Sequence, residues 1–218
     1  MTLHLRGELV QTARRMSDLG LTPGMSGNVS VRVPGGYLIT PSGIPYPDLT
    51  ANDAVEVRMD GSVRPGQRAQ STEWRLHRDI LAARPDTNAI VHTHSLFCTT
   101  VACLRRPIPA VHYMVVIAGG DEIPCAEYAT FGSPELAVSA VRALGAGHAC
   151  LLANHGMVAL GPTLAGALRL AAEVETIASQ YWHASQLGAP HVLDHDDLER
   201  VRRRFAEYGQ PRRARRPT

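Results

Sequence analysis

The sequence predicts a single-domain α/β fold in which a mixed, mainly antiparallel central sheet is layered with helices. Short runs that alternate apolar and polar residues are bounded by Pro and Gly, as strands are. Longer runs repeat apolar residues every three or four positions, as amphipathic helices do. The two kinds interleave irregularly, with tight hairpin signals as well as crossovers, so a purely parallel doubly wound sheet is not expected. At 218 residues, 44% hydrophobic and 19% charged, the chain is long enough to bury a core as one domain. We assign that domain to residues 1–210, with 211–218 a basic, flexible C-terminal tail.

Residues 3–19 place Leu5, Leu9, Thr12 or Ala13, and Met16 at helical spacing, with Gly20 as a stop. "NVSVRV", the turn "PGG" and "YLIT" read as a hairpin from Asn28 to Thr40. "TPSGIPYPDL" follows as a loop and "AVEVRM" as a strand. "STEWRLHRDILAAR" holds no breaker and repeats Leu76, Ile80 and Ala83, so a helix is expected from near Ser71 until Pro85 ends it. The apolar run "AIVHTHSLF" begins as a strand and passes into a short helix. A Pro-rich connection leads to "HYMVVIAGG". A helix over 134–144, strands at "ACLLAN" and "MVAL", the longest helix at "TLAGALRLAAEVETIASQYWHASQL" and a last helix over 196–208 complete the chain.

The formal net charge is only +2, and the basic excess sits in "PRRARRPT", so the body of the chain carries no nucleic-acid signature. Cys98, Cys103, Cys125 and Cys150 form no C-x-x-C pair and read as reduced, buried thiols, which points to a cytoplasmic protein. The N-terminus has no apolar export core, and no segment approaches 18 apolar residues, so no membrane role is expected.

The chemistry concentrates in a few segments. In a strand, His92 and His94 project from one face, about 6 to 7 Å apart along the chain, a spacing that suits two ligands of one metal ion. For an isolated H-x-H, partly buried, hydrogen-bonded histidines are the better reading, so a third ligand has to be sought. His155, in "LLANHGMVAL" between two apolar strands, is the third candidate ligand, and three imidazoles would hold Zn²⁺ with a coordination position left for substrate. Glu73, beside the hydroxyls of Ser71 and Thr72, reads either as a carboxylate partner of that site or as ordinary chemistry of a helix start. A helix N-terminus with two hydroxyls also suits an anion. "SGN" at 26–28 and "TPSG" at 40–43 have the composition of small polar cradles or of routine turns.

Taken together, "GMSGNVSVR", "LITPSGIPY", "STEW", "IVHTHS", "IPAVHYMVVIAGGDEIPCAEYATFGSPEL" and "LLANHGMVALG" resemble, in order and over nearly the whole chain, the class II aldolase/adducin family, most closely its L-fuculose-1-phosphate aldolases. The resemblance implies one Zn²⁺ per subunit at His92, His94 and His155, with Glu73 at the metal as acid/base. It assigns phosphate binding to Asn28, Ser42, Gly43, Ser71 and Thr72. Tyr113 matches a tyrosine contributed by a neighbouring subunit, and Phe131 matches a wall of the aldehyde pocket. Tyr208 resembles a C-terminal tyrosine that closes over the site. A homotetramer with interfacial active sites is implied as well. Thr72 stands where close relatives often carry serine, which preserves the hydroxyl.

The implied reaction is reversible cleavage of a ketose 1-phosphate into dihydroxyacetone phosphate and a small aldehyde such as L-lactaldehyde. The same superfamily contains pentulose-phosphate 4-epimerases, which typically carry aspartate where this chain has Glu73, together with sugar-phosphate dehydratases and decarboxylases. An adducin-like scaffold would keep the fold without catalysis, but has no reason to retain the three histidines and the glutamate.

Overall fold

The helical pattern at the N-terminus forms α1 (Thr2–Asp18), which buries Leu9, Ala13 and Met16. The computed structural model describes residues 2–208; the segment 211–218, expected as a tail, lies outside them. Seven strands follow: β1 (Asn28–Val33), β2 (Gly36–Ile39), β3 (Val55–Arg58), β4 (Ala89–Thr93), β5 (Cys125–Ala126), β6 (Ala149–Leu152) and β7 (Gly156–Gly161). They make one sheet in the order β3-β2-β1-β4-β7-β6-β5. Every pairing is antiparallel except β5 with β6, so the expected mixed, mainly antiparallel single-domain fold is observed.

Period two divides the apolar residues between the two faces of this sheet. Val29, Val31, Ala89, Val91, Met157 and Ala159 enter one core with α1, α3 (Leu96–Cys103) and the long α5 (Leu164–Leu187). Tyr37, Ile39, Ile90, Val158 and Leu160 enter the other with α2 (Trp74–Ala83) and α4 (Pro134–Leu144). α6 (His195–Glu207), the expected last helix displaced by one residue, packs on the 3₁₀ segment Tyr113–Ala118. That segment is the aperiodic "YMVVIA": it buries Val115, Val116 and Ala118 with the tighter winding of a 3₁₀ turn, which neither a strand nor an α-helix pattern anticipates.

Only Cys98 and Cys150 are buried; Cys125 is half-buried and Cys103, the last residue of α3, is exposed, which corrects the expectation of four buried thiols. All four are free. Among the described residues no helix is long and apolar enough to cross a membrane.

Two glycines hold the middle of the sheet against its neighbours. A Cβ on Gly156 would come within 2.2 Å of the Thr93 carbonyl oxygen, and one on Gly27, at φ +95°, within 2.6 Å of the His92 carbonyl oxygen. Both contacts fall at the end of β4, so β1 and β7 close on the H-x-H strand only because no side chain intervenes. The left-handed residue of the turn before His155 is Asn154, at φ 55°.

Candidate metal-centred active site

At its exit from the sheet, β4 delivers His92, and the chain then turns outward so that His94 follows on the same side. The Nε2 atoms of His92 and His94 lie 3.0 Å apart. His155, at the turn between β6 and β7, completes a triangle of rings whose centroids are 4.7–4.9 Å from one another. Glu73 faces all three: its carboxylate is 3.1 Å from His92 Nε2 and 3.2 Å from His155 Nε2. Glu73 and His92 are buried.

Glu73 reaches this position because the helix begins three residues later than the hydroxyl-rich "STEW" suggests. The Ser71 hydroxyl accepts the Glu73 N–H at 3.2 Å, and the Trp74 N–H closes a turn on the Ser71 carbonyl at 3.1 Å. Glu73 itself sits at the N-cap of α2 with a non-helical backbone and no side-chain capping bond. Its carboxylate makes no capping bond and instead lies against the histidines.

Electrostatics agree with this geometry. Burial works against the charge of Glu73, but the facing His92 and His155 pull its carboxyl far below the usual range. Burial also pushes His92 down, yet the Glu73 charge and hydrogen bond leave it raised overall. His94, pressed by burial and then by its two imidazole neighbours, is driven down to about 3.

These residues fit a divalent cation. One ligand atom from each of Glu73, His92, His94 and His155 lies within 4.8 Å of all the others. His92 Nδ1 donates to the Met157 carbonyl oxygen at 2.9 Å, which leaves the Nε2 lone pair directed at the cluster. Two imidazole lone pairs opposed at 3.0 Å require a proton or a cation between them. Glu73 Oε1 is buried without an aligned hydrogen-bond partner, an orphan that an ion would satisfy. A set of three nitrogens and a carboxylate oxygen suits Zn²⁺ and related ions.

The cluster floors a cavity of about 430 Å³. Along one side the "TPSG" and "STE" segments run together, joined by an antiparallel bridge between Pro41 and Gln70 and by the Ser42 N–H donating to the Ala69 carbonyl at 3.1 Å. Ser42, Gly43, Ser71, Thr72 and Asn28, all proposed on sequence for phosphate binding, line this cavity, as does Phe131. Tyr113 does not: it is half-exposed in a separate groove with Phe205 and Tyr208, its ring centroid 6.3 Å from that of Phe205.

Other residues of the site have no role assigned from the sequence. Met25, Ile44 and Tyr128 line the same cavity. Glu175, from α5, accepts the Ser95 hydroxyl at 2.7 Å and the Phe97 and Cys98 N–H groups at 2.8 and 2.9 Å, which pins the chain directly after His94. Nothing local announces that contact, since some 80 residues separate its ends. His77 does leave a trace. It stands four residues after Glu73, one helical turn along, and is wholly buried beneath the site.

Residues 7–182 match the family described as Class II Aldolase and Adducin N-terminal domain. The chain belongs to this family. It is 52% identical over 205 residues, covering 94% of this chain and 92% of the relative, to a 5-methylthioribulose-1-phosphate/5-deoxyribulose-1-phosphate aldolase of Rhodospirillum rubrum. An L-fuculose phosphate aldolase of Escherichia coli K12 is 44% identical, with 94% of this chain and 95% of that one covered. A solved structure of an L-fuculose 1-phosphate aldolase superposes with a TM-score of 0.88 at 38% identity, covering 92% of this chain and 95% of that chain. In this class II aldolase-family chain the Glu73–His92–His94–His155 cluster, which could hold a metal ion, lies at the centre of the sheet, where β1, β4 and β7 meet.

Burial, and then the nearby His92, hold His77 neutral, its pKa lowered from 6.5 to about 3 against the pull of Glu73. The unfolded chain binds this proton below about pH 6.5 and the folded chain does not. The neutral site therefore gives its full stability above that pH, and stability is lost as the pH falls from about 6.5 towards 3. The metal-free chain should thus lose up to about 1.4 kcal/mol per pH unit at this residue. Denaturant melts of the native chain and His77→Gln between pH 7.5 and 4.5 should show a shallower pH slope in the variant; equal slopes would contradict the assignment.

Proposed function

We propose that this chain is a divalent-metal-dependent aldolase that reversibly cleaves a ketose 1-phosphate into dihydroxyacetone phosphate and a short aldehyde with an apolar end. The observation that carries this reading is one cavity that brings the Glu73–His92–His94–His155 cluster together with hydroxyl-bearing and apolar side chains. Zn²⁺ is the ion we assign to the cluster.

Asn28, Ser42, Gly43, Ser71 and Thr72 would hold the phosphate through neutral donors. A divalent cation, when bound, supplies polarisation of the ketone and stabilisation of the negative charge that develops on its oxygen. Glu73 would take the proton from the hydroxymethyl carbon of dihydroxyacetone phosphate in the condensation direction and return it in cleavage. Every one of the 22 residues counted as Lys or Arg in this chain is an arginine, so no lysine amine is present to form a Schiff base with the ketone.

Met25, Ile44 and Phe131 add apolar side chains to the lining of the cavity. That favours a methyl or methylthio end on the aldehyde over a hydroxylated one. The 5-methylthioribulose/5-deoxyribulose 1-phosphates and L-fuculose 1-phosphate, named for the relatives, share this character, and a methyl group more or less in such a pocket is worth only about 1–3 kcal/mol. We place the 5-deoxypentulose phosphates first, on the 52% identity to an aldolase so named, and L-fuculose 1-phosphate second. The test is a cleavage screen of stereoisomeric ketose 1-phosphates with and without added Zn²⁺. Metal-dependent release of dihydroxyacetone phosphate from at least one of them is expected; epimerised substrate without cleavage would instead select the 4-epimerase reading.

Tyr113 is assigned to protonate the new alkoxide from a neighbouring subunit of a homotetramer. Its half-exposed ring, outside the cavity of its own chain, leaves it accessible to a second copy. Tyr113→Phe should retain deuterium exchange into dihydroxyacetone phosphate within about threefold, while carbon–carbon cleavage falls about 10²-fold, the size of one general acid contribution. Parallel losses in both steps would remove that role.

A further inference from the structure

Beneath the cavity floor runs a line of buried hydrogen bonds that the chemistry above does not use. β1 pairs with β4 so that Asn28 lies opposite His92 and Ser30 opposite Ile90. Asn28 and Ser30 therefore point to the sheet face covered by α2, from which His77 descends. The Asn28 amide nitrogen donates to Glu73 Oε2 at 2.9 Å. The Asn28 carbonyl oxygen meets His77 Nε2, and His77 Nδ1 is 2.6 Å from the Ser30 hydroxyl. Ser30 and His77 are fully buried, and Asn28 nearly so.

The proton positions follow from the chemistry of the end groups. An ionised Glu73 only accepts, so Asn28 must present its NH₂ to it and its carbonyl oxygen to His77. That oxygen only accepts, so His77 carries its proton on Nε2. Nδ1 then bears a lone pair, which the Ser30 hydroxyl fills by donating. Each bond in the series Ser30→His77→Asn28→Glu73 has one direction, and reversing any of them sets two donors or two acceptors against each other. Rotation of the Asn28 amide would place its oxygen against the Glu73 carboxylate.

We infer that His77 is a positioning residue: with Ser30 behind it, it locks the Asn28 amide in the one orientation that directs an N–H at Glu73, and so fixes the carboxylate beside the metal-binding histidines. Asn28, read from sequence as a phosphate ligand, thereby has a second task, since its NH₂ carries two hydrogens and only one is committed to Glu73. The inference rests on the proposed function for what Glu73 does, but not for where Glu73 is held.

The test uses full-length chain loaded with Co²⁺, whose visible absorption reports the groups around the ion. His77→Phe keeps a ring of similar size and removes both nitrogens; His77→Gln keeps an N–H able to reach Asn28. In His77→Phe the cobalt spectrum should shift towards that of Glu73→Gln, with metal content unchanged at the three imidazoles, and His77→Gln should restore the native spectrum. Ser30→Ala, which removes a single hydroxyl and is the milder change, should shift the spectrum in the same direction and serves if His77→Phe does not fold. The second arm is deuterium exchange into dihydroxyacetone phosphate, which should fall about 10- to 100-fold in His77→Phe, the range for groups that orient a metal site. In an Asn28→Leu background the same His77→Phe change should cost nothing further, because the coupling runs through Asn28. Native spectra in both His77→Phe and Ser30→Ala, or equal exchange losses with and without Asn28, would overturn the inference. Absence of exchange in the unaltered chain would count against the proposed reaction alone, and the cobalt spectra would still decide the role of His77.

Discussion

Replacing His92, His94 or His155 with alanine is expected to strip the metal from the chain and, with it, the aldol reaction. One ligand nitrogen of each ring lies within 4.8 Å of the others, and the ring centroids are nearly equidistant. Removal of any one leaves two imidazoles and a carboxylate, too few neutral nitrogens to compete with solvent and with protons. A bound cation supplies several kcal/mol of transition-state charge stabilisation. At about 1.4 kcal/mol per tenfold, cleavage should fall on the order of 10³-fold. Elemental analysis of purified native chain should find about one divalent ion per chain, most of it Zn²⁺, and each alanine variant should hold a small fraction of that. Full occupancy in all three variants would remove the ligand assignment. A native chain that binds no metal would instead favour a non-catalytic scaffold of the same fold.

How much of this was legible beforehand differs between parts of the site for physical reasons. His92 and His94 could be read because the period of a strand is local: two residues on, the side chain returns to the same face. His155 could be read because a polar ring between two apolar strands has nowhere to be but at an end of the sheet. The antiparallel, layered fold was readable from the same alternation. Glu73 was not readable locally, since an isolated Ser-Thr-Glu reads first as a helix start. The ambiguity resolves only when Ser71 spends its hydroxyl on the Glu73 N–H and delays the helix to Trp74.

What could not be read is register. That Asn28 lies opposite His92 depends on how β1 pairs with β4, a contact 64 residues apart in the chain that no nearby signal encodes. The role of His77 follows from that register and from the rotation of α2, so it stayed hidden although its spacing from Glu73 is one helical turn. The 3₁₀ segment at Tyr113–Ala118 was hidden for another reason: with three residues per turn and a short run, it leaves no stripe that a helix or strand pattern recognises. The close approach of Gly156 to β4 is likewise tertiary, and locally it reads as an ordinary turn glycine.

Glu73→Gln is expected to abolish proton chemistry while leaving most of the site standing. The amide has the shape of the carboxylate and can still accept the Asn28 N–H through its oxygen, so the buried line from Ser30 keeps its direction. What it lacks is basicity. General base catalysis by a positioned side chain contributes about 10² to 10⁴-fold, and deuterium exchange into dihydroxyacetone phosphate should fall by that amount. Dihydroxyacetone phosphate should still bind, because the cradle of Ser42, Gly43, Ser71 and Thr72 is made by other segments. Metal should also remain, held by three imidazoles and relieved of one anionic partner, so affinity falls but occupancy at saturating Zn²⁺ does not. This combination separates the base from a ligand or a helix cap. Loss of a mere cap would lower the melting temperature with exchange intact, and loss of an essential ligand would empty the site as the histidine variants do. Exchange at the native rate in a metal-loaded Glu73→Gln chain would show that the proton leaves by another route, and the position of this carboxylate against His92 and His155 would then be structural only.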